Sequence, residues 1–119
     1  MLFRSNLRHI MDYHAHIYWR NAAEREQAMR IREWLDLNHF QLGRVWDQAI
    51  GPHTEAMYQV IYDSSRKDLI ESFLRVNRHT MSILLHEAIR DDLRDHTDGA
   101  RWLGEELPLK LYVFNEGST

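Results

Sequence analysis

Four of the eight histidines stand where their side chains can meet: His14 and His16 in Tyr13-His14-Ala15-His16-Ile17-Tyr18-Trp19, His53 after Gly51-Pro52, and His86 after an apolar run over residues 81–85. Neutral imidazole is the commonest protein ligand for iron, zinc and related ions, and three such ligands from separate strands hold one ion with coordination positions left open. The chain has no cysteine, which excludes thiolate ligands, cysteine nucleophiles and disulfides. On a strand His14 and His16 point the same way, with Cα atoms roughly 6.5 Å apart, so they need not serve one ion equally. His16, deeper in the strand, is the preferred first ligand. His14, nearer the entrance, suits substrate binding, proton transfer or the orientation of a ligand. The competing reading of the pair is a polar sheet face carrying ordinary hydrogen-bonded histidines. His53 and His86 strengthen the metal reading because they belong to separate elements. Alone, each reads equally as a loop-orienting or strand-end histidine. A carboxylate ligand stays open among Glu87, Glu55 and Asp12.

The elements that must position these residues follow from periodicity. Residues 12–19 predict a strand with His14, His16 and Tyr18 on one face and Tyr13, Ala15, Ile17 and Trp19 on the other. Asn21 followed by Glu24 is a capping arrangement, and Ala28, Ile31 and Leu35 supply the apolar stripe of a helix over 22–37. Phe40, Leu42, Arg44 and Trp46 alternate with Gln41, Gly43 and Val45, predicting a second strand. Residues 50–53 turn into a third strand over 56–62, with His53 near its start. A Ser65 cap with Asp68 starts a second helix that ends around 76–78. Residues 80–86 form the next strand, with Met81, Ile83 and Leu85 opposed to Ser82, Leu84 and His86. Leu93, His96, Ala100 and Leu103 recur at helical spacing, predicting a short helix over 92–103, and residues 109–114 predict a final strand. His96 then falls on the apolar side of that helix, in the core or supporting the ligands from behind. Arg44 and Arg78 fit clamps for a substrate carboxylate, and equally fit surface charges.

The β-α-β-β-α-β order predicts an α+β, ferredoxin-like layout with an additional C-terminal helix and strand. Helices cover one sheet face and leave the other for a partner or a ligand, and an isologous dimer would close two such sheets toward an α/β barrel. A chain of 119 residues makes one domain spanning 1–119. A net charge of −3 without a Lys/Arg stripe carries no footprint for nucleic acid or an acidic membrane surface. There is no long apolar segment, and charges interrupt residues 2–9 before any apolar core forms, so a cytoplasmic location is the expectation.

At these same residues the chain resembles the DOPA 4,5-dioxygenase family of small aromatic ring-cleavage dioxygenases. The matching pieces run in order along nearly the whole chain: Tyr13-His14-Ala15-His16-Ile17-Tyr18-Trp19, Gly51-Pro52-His53, Ser82-Ile83-Leu84-Leu85-His86, and Asp91-Asp92-Leu93-Arg94-Asp95-His96-Thr97-Asp98 with Trp102-Leu103-Gly104. The chain departs from the family pattern at Thr54 and Glu87, where proline is common, and at His79, in a region that tends to be glycine-rich. The resemblance implies extradiol cleavage of a DOPA-like or other catechol by dioxygen, opening the ring to a semialdehyde. It implies Fe(II) held by His16, His53 and His86, with His14 as the acid/base. By sheet face Tyr18 lines the pocket and Trp19 the core. Two alternatives are a metal-independent small-molecule-binding dimer and a metal enzyme of another class on the same scaffold.

Overall fold

Alternation along residues 12–19 puts every second side chain against the helices, and that strand is the centre of the molecule. The computed structural model describes residues 12–88 and 92–116. Its elements in chain order are β1 (Asp12–Trp19), α1 (Ala22–Leu37), β2 (Gln41–Leu42), β3 (Ala56–Asp63), α2 (Lys67–Asn77), β4 (Ile83–Glu87), α3 (Asp92–Asp95), β5 (Ala100–Leu103) and α4 (Tyr112–Glu116). The strands form one open antiparallel sheet in the order β2-β3-β1-β4-β5. The first and third strands lie side by side in the middle, and β5 extends the sheet beyond β4.

α1 begins where expected because Asn21 Oδ1 accepts from Glu24 N at 2.9 Å and Glu24 Oε1 accepts from Arg20 N at 2.9 Å. Ala28, Ile31 and Leu35 then meet Tyr13, Ala15, Ile17 and Trp19 in one buried cluster with Tyr58, Val60, Ile83 and Leu85. The opposite face carries Tyr18, Met57 and Leu84, and the C-terminal segment lays Leu107 and Leu109 over it.

The structure departs from the sequence expectations at five places, the first being the strand expected over 80–86, which begins at Ile83 and runs to Glu87. The second strand keeps only Gln41–Leu42, with Trp46 returning as an isolated bridge to Met57. Ser65 bonds Asp63 within a turn, and α2 starts at Lys67 without a side-chain cap. The helix expected over 92–103 stops at Asp95, because residues 100–103 pair with β4 as β5. Residues 109–114 form no strand: Leu109 makes a single bridge to His53, and the chain enters α4 at Tyr112.

Glu71 ties α2 to the sheet. Only 5% exposed, its carboxylate accepts from Arg101 Nη1 and Nη2 at 3.0 and 2.8 Å and from the Tyr62 hydroxyl at 2.9 Å. Burial pushes this carboxyl up, but the hydrogen bonds from Arg101 and Tyr62 outweigh it and hold the group below the ordinary glutamate range. A depressed folded-state pKa stabilises fully above the unfolded-state value of about 4.3 and loses that contribution as pH falls through the folded value. Arg101 is half-exposed, which screens the pair. Glu71→Gln is therefore expected to cost about 1 kcal/mol at pH 7 and to flatten the acid limb of stability below pH about 4. Urea denaturation of both proteins at pH 7 and in acid checks this.

Candidate metal centre

β1 delivers His14 and His16 to the face away from the helices. β4 places His86 directly across from His14, while His16 faces Leu84 on one side and Gln59 on the other. The loop before β3 brings His53 in, and the turn after α3 brings His96. Four imidazoles thus crowd around His16: ring centres lie 4.5 Å away for His53, 5.1 Å for His86, 5.7 Å for His96 and 6.2 Å for His14. Among the described residues, two trios bring their ligand atoms within 4.8 Å of one another: His14, His16 and His86, and His16, His53 and His96. His16 belongs to both. The expected trio of His16, His53 and His86 is divided between them, and His96 comes forward from a supporting position into ligand range. His39 and His79 occupy left-handed turns at φ 61° and 53° and do not line this cavity.

The hydrogen bonds assign the protons. His86 Nδ1 lies 2.9 Å from the Glu87 carbonyl oxygen, which only accepts, so this nitrogen carries hydrogen and Nε2 presents a lone pair. His16 Nε2 lies 3.0 Å from that lone pair and donates to it. The remaining nitrogen of His16, Nδ1, is then a bare, buried lone pair with no hydrogen-bond partner. An unsatisfied buried acceptor costs about 1–3 kcal/mol, and a bound cation or donor at His16 would remove that cost. Burial and the neighbouring imidazoles together hold His16 well below the usual histidine range. Burial likewise brings His53 down to about 4, helped by His96 and His86. His86 also falls to about 4 through burial, against the opposing pull of the Glu87 carbonyl. All three are neutral at pH 7, the form that binds a metal. The donor set therefore fits a nitrogen-preferring ion.

The cluster opens into a cavity of about 450 Å³ whose wall includes Asp12, Gln59, Asp95 and Phe114. Asp12 shares the His14 and His16 face of β1. Of the other carboxylates weighed from sequence, Glu87 alternates with His86 and is exposed, and Glu55 lies against a different hollow. An adjoining hollow of about 610 Å³ shares His96 and is walled by Trp102, Leu107, Leu109 and Leu111.

Tyr18 is buried instead of lining the pocket. It stacks on Trp102 at 5.8 Å, and its hydroxyl lies 2.8 Å from His53 Nδ1, so it holds that ring from behind. Neither arginine reaches the cavity wall. Arg44 packs 4.1 Å over Trp46, and Arg78 donates to the carbonyls of His79 and Met81 at 3.2 Å each. The approach of His96 is the feature the sequence missed. The Asp95-His96-Thr97-Asp98-Gly99 stretch was the available signal, since these turn-forming residues end the helix before His96 joins its apolar side.

No helix among the described residues is long and apolar enough to cross a membrane. The fold is shared with the crystal structure of a candidate dioxygenase from Nostoc punctiforme, at a TM-score of 0.84 and 38% identity, covering 90% of this chain and 93% of that one. The chain is 35% identical to a DOPA 4,5-dioxygenase of Amanita muscaria, over 86% of this chain and 49% of that protein. It is 30% identical to an uncharacterised 21.2 kDa protein of Botryotinia fuckeliana, over 90% of this chain and 64% of the relative. The chain thus spans about half the length of the first of these two relatives and just under two thirds of the second. Residues 13–113 match the Dopa 4,5-dioxygenase family. With the ordered histidine motifs converging on one cavity, the chain belongs to the Dopa 4,5-dioxygenase family.

Proposed function

We propose that this chain is an extradiol dioxygenase that opens a DOPA-like or other catechol with dioxygen at a histidine-held Fe(II). The observation that carries the reading is the buried, neutral imidazole cluster centred on His16, with its unpartnered Nδ1. His16, His53 and His86 are the proposed ligands, with His96 within reach of the same space. Bound there, iron supplies open positions for the diol oxygens and for dioxygen. His14, half-buried and 5.1 Å ring to ring from His86, is the proposed acid/base, taking a proton from the catechol hydroxyl and returning one later. Glu87 and Tyr18 keep the ligand rings oriented through the Nδ1 atoms of His86 and His53. The hollow beside His96, walled by Trp102, Leu107 and Leu109, is the proposed seat of the ring substituent. Pairing of two copies through the remaining exposed part of this sheet face, and a cytoplasmic location, complete the proposal.

Anaerobic loading with Fe(II), followed by oxygen uptake and absorbance scans with DOPA and simpler catechols, tests it. The expected result is one dioxygen consumed per catechol, with a yellow ring-opened product. His86→Ala is expected to lose at least about 100-fold in turnover while remaining folded. No uptake across the panel, at verified iron occupancy, points instead to a binding protein or to metal chemistry of another class.

A further inference from the structure

Gln59 has a position in this cavity that the protein's own architecture does not use. Antiparallel pairing sets it opposite His16, so both side chains rise from the same sheet face. Along β3 that face also carries buried Met57 and half-buried Ile61, and an amide between them breaks an otherwise apolar pattern. The main chain of Gln59 is engaged, its carbonyl accepting from Gly43 N at 2.7 Å. Its side-chain amide makes no hydrogen bond among the described residues, although it is half-buried at the wall of the histidine cavity. On the other flank stands Gly43, where a Cβ would come 3.5 Å from the Gln59 Cβ, so no side chain from that position covers the amide.

Solvent in the cavity meets this amide, and a ligand that displaces that solvent leaves it unsatisfied unless the ligand supplies a partner. Glutamine offers two N–H donors without a charge. An oxygen of a bound diol, carrying full or partial negative charge, is the complementary acceptor, and the hydrogen bond to it is charge-assisted. We propose that Gln59 is a substrate-binding residue that donates an amide N–H to the diol oxygen lying on the His16 side of the cavity, and so selects substrates that carry an oxygen there. The inference rests on the catechol reading. A ring lacking that oxygen leaves the amide desolvated and unpaired, and that penalty is what discriminates.

The test is titration of 4-nitrocatechol into metal-loaded, oxygen-free protein, followed by visible absorbance, for wild type, Gln59→Leu and Gln59→Glu. Gln59→Leu keeps the volume and suits the apolar face, and it is expected to bind about tenfold more weakly. Gln59→Glu is expected to bind more weakly still, because a carboxylate faces the catecholate oxygen. Gln59→Leu is expected to keep both wild-type metal affinity and melting temperature. In turnover the change is expected in KM more than in kcat. Equal affinity of Gln59→Leu and wild type overturns the assignment. A parallel fall in metal affinity or melting temperature also overturns it, since a structural role accounts for that. Failure of the metal-loaded wild type to bind 4-nitrocatechol overturns both this inference and the catechol reading.

Discussion

His16→Ala is expected to lower affinity for a divalent ion by more than about 100-fold and to leave the apoprotein close to wild-type stability. Loss of a partner supporting a ligand from behind already costs 10- to 100-fold, and His16 is a proposed ligand common to both histidine trios. The stability expectation follows from two opposing terms. Truncating a side chain that is 3% exposed leaves a cavity, which destabilises. The same change removes the unsatisfied Nδ1, which returns about 1–3 kcal/mol. It also frees His86 Nε2 from its hydrogen bond at a position the cavity lets water reach. Calorimetric titration with Fe(II) and Zn(II) measures the affinity. Thermal denaturation with and without the ion gives an independent reading. At an ion concentration of 100 times the wild-type Kd the wild type gains about 2.7 kcal/mol, and the variant is expected to gain less than about 0.4 kcal/mol. Wild-type affinity in His16→Ala sinks the metal assignment, because no described trio survives without it.

This centre was legible in the sequence as far as strand alternation reaches. A period of two along residues 12–19 put His14 and His16 together and kept Ala15 and Ile17 against α1, and the same period in β4 turned His86 to that face and Glu87 away from it. The Asn21 and Glu24 cap fixed the start of α1 because both partners are local. Features set by distant pairings were not legible. Residues 100–103 satisfy helical spacing with Leu93 and His96, yet pairing with β4 makes them a strand with Ala100 and Trp102 on the histidine side and Arg101 turned to Glu71. That choice ends the helix early and frees His96 to approach His16. Arg78 read as a substrate clamp because its charge is visible in sequence, whereas the carbonyls of His79 and Met81 that occupy it are not.

His53 depends on a strap that follows β5, and Gly104→Ala is expected to destabilise the fold by about 2–4 kcal/mol and to loosen metal binding with it. Gly104 has φ +80°, a conformation an L side chain enters only under strain, and a Cβ there would lie 2.9 Å from the Met81 carbonyl oxygen and 2.5 Å from Arg78 Nη1. The guanidinium can shift, but the Met81 carbonyl belongs to the backbone leading into β4. The turn at Gly104 aims the chain so that the Glu105 carbonyl accepts from Ser82 Oγ at 2.6 Å and Leu107 buries beside Tyr18 and Leu84. The Pro108 carbonyl then accepts from Thr54 Oγ1 at 2.7 Å, and Lys110 N donates to the Pro52 carbonyl at 2.7 Å. These last two bonds grip the residues on either side of His53, whose own backbone bridges Leu109. Gly51→Ala is the informative comparison. That glycine also has positive φ, +57°, but a Cβ there meets nothing within 4 Å, so only the left-handed backbone penalty of about 1–2 kcal/mol applies. Urea denaturation ranks the two variants, and metal titration reads His53. If Gly104→Ala unfolds no more easily than Gly51→Ala, the Met81 contact is accommodated and the turn does not aim the strap. If it unfolds more easily and binds metal about tenfold more weakly, the position of His53 is set from the far end of the chain, through a turn only glycine makes without strain.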